Sequence, residues 1–182
     1  MKIIMMTGSA HKNGTSAYLA EHFMRGAKEA GHEVSRFDTA FMDIHPCIGC
    51  DHCRRKDGVC VYQDDMNQIN PVLKEADAVV FVSPIYYYDI NAQLKTAIDR
   101  FYQFSFPKGR ETLHIKDLYL IAASANPDSA MFNDVVHAYE QLCELLHFDK
   151  GGTLLCPGLA GADDLENHQE FLEKAVKMGM AI

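Results

Sequence analysis

Short runs of apolar, often β-branched residues alternate along the chain with longer stretches in which apolar positions recur every three or four residues. The first kind of run reads as strand and the second as amphipathic helix. Five strands are predicted: Lys2 to Met6, Glu33 to Asp38, Ala78 to Ser83, Leu118 to Ser124 and Gly152 to Cys156. All but the second are nearly continuous apolar runs, as expected of strands covered on both faces. Leu19, Ala20, Phe23, Met24 and Ala27 form one helical stripe, which Gly31 is placed to end as a left-handed cap. Further stripes run through Ala92, Leu94, Ala97, Ile98 and Phe101, and through Met131, Val135, Ala138, Tyr139, Leu142 and Leu146. The last carries Phe171, Leu172, Ala175 and Val176, with Asp163 or Asp164 as its expected cap, while Asp64-Asp65 reads as the cap and acidic first turn of a helix from Met66. Strands and helices in this alternation, joined by right-handed crossovers, predict an α/β fold: a three-layer, doubly wound, five-stranded parallel sheet in order 2-1-3-4-5. Ligands then belong beyond the carboxyl ends of the strands.

At 182 residues, 48% hydrophobic and 23% charged, with no shift in composition, the chain reads as a single domain over residues 1–182. Its formal charge of -8 argues against nucleic acid or an anionic membrane as partner, so a phosphate ligand must be held locally, by backbone donors and hydroxyls. The apolar N-terminal run is too short for a signal peptide or a membrane span, and the expected location is cytoplasmic, with the thiols mainly reduced.

Three segments carry chemistry. Thr7 to Ser16 joins the first strand to the first helix, and it gathers Ser9, Thr15 and Ser16 around Gly8 and Gly14 at a helix N-terminus, which is an anion site. It matches neither the phosphate loop that ends in Gly-Lys-Ser/Thr nor the three-glycine dinucleotide fingerprint. Ser83 to Lys95 leaves the third strand and places Pro84, Ile85 and three consecutive tyrosines at the sheet edge, an aromatic wall suited to a flat heterocycle. Cys47, Cys50, Cys53 and Cys60 fall within fourteen positions, separated by two, two and six residues. Three readings stay open for these thiols: ligands of one [4Fe-4S] cluster, a redox-active pair, or structural residues. Zinc suits them less, since its loops more often present two separated pairs. His45 and His52 read as loop residues; Lys95, Asp99 and Arg100 as a solvated face or subunit contact; Cys143 and Cys156 as buried small residues.

In Gly8 to Ser16, Pro46 to Cys53 with Asp64-Asp65-Met66, and Ser83-Pro84-Ile85-Tyr86 through Arg100, the chain resembles the NADPH-dependent FMN reductase and iron-sulfur flavoprotein branch of the flavodoxin-like superfamily. The resemblance implies that Ser9, His11, Asn13, Thr15 and Ser16 hold the FMN phosphate. It implies that Pro84, Ile85, Tyr86 and Tyr87 hold the isoalloxazine ring, with Ser124 opening a third flavin loop. Relatives usually carry Pro-Arg where this chain has Ala10-His11, which weakens one charged phosphate contact, and the glycine pair common in their third loop is missing here. The implied function is an FMN-dependent NAD(P)H oxidoreductase. Hydride passes from NAD(P)H to the flavin and on to a quinone, a flavin or another small acceptor, with no side-chain acid or base required for the first half-reaction. A homodimer or tetramer is implied as well. The rivals are an electron-transfer module with a [4Fe-4S] cluster on the Cys47 to Cys60 loop, and a non-enzymatic thiol or flavin redox sensor.

Overall fold

A computed structural model describes all 182 residues. Its main sheet holds β1 (Lys2–Thr7), β2 (Glu33–Asp38), β3 (Ala78–Tyr86), β5 (Asp117–Ala123) and β6 (Asp149–Cys156), all parallel and in the order β2-β1-β3-β5-β6. This is the predicted order once a short addition is set aside: β4 (Asp89–Ile90) folds back antiparallel on the end of β3. A two-residue strand carries too little pattern to be seen in a sequence. The turn between β3 and β4 puts Tyr87 and Tyr88 both in the left-handed region, with φ of 50° and 70°. Two-residue hairpins favour that geometry, yet Asn and Gly normally supply it.

Seven helices connect and cover the strands: α1 (Thr15–Glu29), α2 (His52–Arg55), α3 (Met66–Glu75), α4 (Ala92–Asp99), α5 (Pro107–Arg110), α6 (Asn133–Leu146) and α7 (Gln169–Ala181). Successive strand residues point to opposite faces, so the sheet feeds two cores. Ile4, Met6, Val79, Phe81, Leu118 and Leu120 pack against α3, α4 and α6. Ile3, Met5, Val80, Val82 and Ile121 pack against α1 and α7. The edge strand β2 is only half-buried, which is why its sequence alone lacked a continuous apolar run. Between α1 and α7 the backbones meet directly: a Cβ on Gly26 would collide with the Val176 carbonyl, and one on Gly179 with that of Phe23. Gly31 caps α1 with φ +83°, as expected.

Two expectations need correction. Asp164 does not cap α7; its carboxylate accepts from the Ala160 and Gly161 amides at 2.8 and 2.9 Å and closes a separate turn before the helix. Arg100 is not solvated. After Asp99 the chain tightens from α4 into a 3-10 turn over Arg100–Phe104, and this rotates Arg100 inward to 3% exposure. Lys95 and Asp99 do form an exposed ion pair. No helix is long and apolar enough to cross a membrane.

Candidate functional site

Thr7, Ser83 and Ala123 lie at or beside the carboxyl ends of β1, β3 and β5, and a cavity of about 570 Å³ opens above them. One wall is the β1 loop: Ser9, His11, Lys12, Asn13, Gly14, Thr15 and Ser16. The first turn of α1 is capped by the Gly14 backbone with no side chain closing it, and the Thr15 and Ser16 amides donate to nothing within the chain. Free N–H groups at the positive end of a 15-residue helix, flanked by hydroxyls, suit a phosphate. Within the loop, Ser9 Oγ accepts from the His11 amide at 3.2 Å and the Gly14 amide donates to the His11 carbonyl at 3.1 Å, so the turn is formed before any ligand arrives.

The second wall is the exposed end of β3, with Pro84, Ile85 and Tyr86. Tyr87 is not part of it. The hairpin turn carries this side chain away from the cavity, where it stands 98% exposed. In the single chain this wall consists of Pro84, Ile85 and Tyr86. Ser124 is buried between the lining residues Ala123 and Ala125, and its hydroxyl accepts from the Asn126 amide at 3.1 Å. It shapes the third loop from beneath instead of facing the cavity.

Sequence reasoning missed two parts of the site. Leu159, Ala160, Gly161 and Ala162, after β6, close the far side of the cavity, and their only signal was their place beyond a strand's carboxyl end. Asn91, 2% exposed, ties the two cavity-lining loops together: its Nδ2 donates to the Gly8 carbonyl, and its Oδ1 accepts from Ser83 Oγ at 2.9 Å. A Cβ on Gly8 would collide with the Asn91 amide, so the approach depends on glycine there.

The cysteine loop is anchored from below. Asp64, with a fully buried side chain, accepts from Arg100 Nη1 at 2.6 Å, from the His45 amide at 3.0 Å and from the Met66 amide at 3.1 Å. Arg100 Nη1 also donates to the His45 carbonyl at 2.9 Å, so one guanidinium pins both ends of the loop. Asp64 is thus more than the helix cap expected of it. Burial pushes the Asp64 carboxyl up, but Arg100 and the two amides outweigh it and hold the group below the usual carboxylate range. Burial likewise pulls Arg100 down, and Asp64 with the nearby Cys60 thiol more than reverses this. Arg100 Nε is buried with no hydrogen-bond partner.

Cys47, Cys53 and Cys60 are half-buried and Cys50 is exposed; none forms a disulfide. Burial pushes the Cys53 thiol up, with smaller contributions from Cys60 and Cys47. No three His, Cys, Asp or Glu side chains converge closely enough to hold a single metal ion. Cys143 and Cys156 are buried as expected, and burial pushes Cys156 up to about 12.

A family described as NADPH-dependent FMN reductase matches residues 1–145. An iron-sulfur flavoprotein of Archaeoglobus fulgidus is 36% identical over 100 residues, which cover 55% of this chain and 45% of that one. The chain spans about half the length of the iron-sulfur flavoproteins it matches. A Bacillus subtilis protein named for NAD(P)H-dependent, FMN-containing oxidoreductase activity is 24% identical over 93% of this chain and 92% of its own. Among solved structures, an NAD(P)H:quinone oxidoreductase from Methanothermobacter marburgensis superposes with a TM-score of 0.78 at 17% identity, over 99% of this chain and 96% of that one. That likeness supports the doubly wound fold.

Proposed function

The chain belongs to the NADPH-dependent FMN reductase family, and on that premise we propose that it binds FMN in the cavity above β1, β3 and β5 and serves as an NAD(P)H oxidoreductase. One observation carries this reading: free helix donors and a Pro84–Tyr86 wall meet in a single preformed cavity. The α1 amides, with Ser9, His11, Asn13, Thr15 and Ser16, neutralise and fix the phosphate. Pro84, Ile85 and Tyr86 set the plane of the ring, and Leu159 to Ala162 restrict water on the opposite side. FMN, when bound, supplies the hydride chemistry, so the protein's task is binding and orientation. A quinone, a flavin or another small acceptor is the proposed electron sink. Self-association into a dimer or tetramer is proposed too, supported by the run of exposed Tyr86, Tyr87 and Tyr88 on the β3–β4 hairpin.

The test is an anaerobic absorbance spectrum of purified protein, followed by NADPH addition. Flavin bands that bleach with NADPH are the expected result, and protein that neither carries nor binds FMN refutes the reading.

A second reading, the iron-sulfur electron-transfer module, is favoured by Arg100, whose guanidinium interacts with Cys60 and keeps a buried N–H without a partner, a donor suited to a thiolate or sulfide sulfur. Cys47, Cys50, Cys53 and Cys60 would be the ligands. Iron and acid-labile sulfide assayed on the same sample decide it: about four irons per chain support a cluster, and none refutes it.

A further inference from the structure

A second cavity, of about 380 Å³, lies on the other side of the phosphate loop, beyond the carboxyl ends of β1 and β2. It shares Ser9, His11 and Lys12 with the flavin cavity, so the two volumes meet across the residues assigned to the flavin phosphate. Its remaining polar lining comes from Thr7, Glu21, Arg36 and Asp38, and Phe41 supplies an aromatic face that is 49% exposed. The size lies within the ordinary range of ligand pockets.

The floor is rigid. Thr7 and Asp38 pair in register at the ends of adjacent strands, and Thr7 Oγ1 donates to Asp38 Oδ1 at 2.6 Å. Arg36 Nε donates to the same oxygen at 2.7 Å, while Thr39 Oγ1 donates to the Thr7 carbonyl at 2.9 Å and fixes the turn that presents Phe41. Asp38 Oδ1 is thus committed, and Asp38 Oδ2 accepts no hydrogen bond within the chain. In the doubly wound folds that carry the three-glycine dinucleotide fingerprint, which this chain lacks, an acid after the second strand binds the hydroxyls of an adenosine ribose and an arginine nearby accommodates a 2′-phosphate. Asp38 and Arg36 occupy those positions, and Lys12, with Nζ 4.9 Å from the Phe41 ring centre, places a cation between the aromatic face and the phosphate loop.

We propose that this cavity is an adenylate subsite, which takes the adenosine-phosphate half of a dinucleotide while the flavin ring occupies the cavity beside β3. The inference rests on the flavin reading above. Strand order gives the path: adenosine over β2 and β1, phosphates on the β1 loop, ring against β3. Two cofactors share the adenosine-phosphate chemistry. In FAD the adenylate continues covalently from the flavin phosphate; in NAD(P)H it belongs to the hydride donor, laid alongside bound FMN.

The experiment compares wild-type protein with Phe41→Ala and Arg36→Gln, neither of which lines the flavin cavity. Dissociation constants for FMN and FAD are measured on apoprotein by flavin fluorescence, and those for NADPH and NADH on FMN-loaded protein. Phe41→Ala is expected to weaken one adenylate ligand roughly tenfold, the scale of one base–aromatic stack, with FMN affinity kept within about twofold. Loss confined to FAD identifies the flavin dinucleotide. Loss confined to NAD(P)H identifies the hydride donor, and a larger effect of Arg36→Gln on NADPH than on NADH then places the 2′-phosphate beside Arg36. AMP, which lacks the phosphate that FMN itself supplies, is expected to compete with the affected ligand and not with FMN. Unchanged affinities for all dinucleotides, or an equal loss for FMN and FAD, overturn the subsite and leave the flavin reading standing. Failure of wild-type protein to bind any flavin overturns both.

Discussion

Replacing Arg100 with leucine tests the anchor beneath the cysteine loop. The guanidinium side chain is 2% exposed and the Asp64 side chain 0%, so Arg100→Leu leaves a carboxylate in the interior without its counter-charge. Breaking a buried pair from one side typically costs about 3–5 kcal/mol. Here the lower end applies, because Asp64 keeps the His45 and Met66 amides as donors. About 3 kcal/mol in a chain of this size lowers Tm by roughly 6–12 °C. Urea unfolding of the apoprotein, fitted with the slope as a free parameter, gives the loss directly. Two companion measurements separate the charge from the packing. In the double variant Arg100→Leu with Asp64→Leu, the stranded charge is gone and roughly half the loss should return, although the His45 carbonyl and two amides still lack partners. The deficit of the single variant should also shrink towards acid pH, where Asp64 is protonated and no longer needs a cation. A single-variant loss below about 1 kcal/mol, or a double variant no more stable than the single, would show that Arg100 acts by filling space and not by compensating Asp64.

Asn91→Ala removes the link between the Gly8 carbonyl and Ser83 Oγ and should weaken FMN binding roughly tenfold, at a stability loss of about 1–3 kcal/mol; unchanged FMN affinity would mean the loops hold their positions without it. Asp64 has its carboxyl lowered in the folded state, so its contribution is complete above the ordinary carboxylate pKa near 4 and disappears as pH falls through the lower folded value. Asp64→Asn should therefore flatten the acid limb of the stability profile below about pH 4, and an unaltered limb would argue against this assignment. Timed iodoacetamide labelling with peptide mass analysis should find Cys50 modified first and Cys143 and Cys156 last, the latter held protonated by burial. Early modification of Cys156 would contradict its place at the end of β6.

The sheet was legible because its three inner strands, β1, β3 and β5, are buried on both faces and spell their positions in nearly unbroken apolar runs. The β1 loop was legible as a cavity wall because Gly8, Ser9, Gly14, Thr15 and Ser16 stand between a strand and a helical stripe, beyond a strand's carboxyl end. What escaped notice depends on contacts across long stretches of sequence. Arg100 follows a lysine–aspartate pair that is solvated, and only the change from α-helix to 3-10 turn sends it inward to an acid 36 residues earlier. Asn91 reads as an ordinary polar residue before a helix; its role exists only because β1 and β3 are neighbours. Tyr87 stands apart from the residues before it. Its neighbours lie in the cavity wall, and a turn too short to predict swings it out.

The glycine contact between α1 and α7 bears on the order in which the site can assemble during synthesis. The free amides proposed to bind the flavin phosphate sit at the head of α1, and the flank of that helix at Phe23, Gly26 and Ala27 is covered by α7, some 140 residues later in the chain. At ribosomal rates this separation is roughly seven to thirty seconds of elongation. Through that interval α1 and the β1–β3 core can form, but Phe23, Ala27 and Gly26 remain without their cover. The phosphate end of the cavity, although encoded first, is then among the last parts to become rigid, and a nascent chain halted before α7 would expose the same apolar stripe to chaperones.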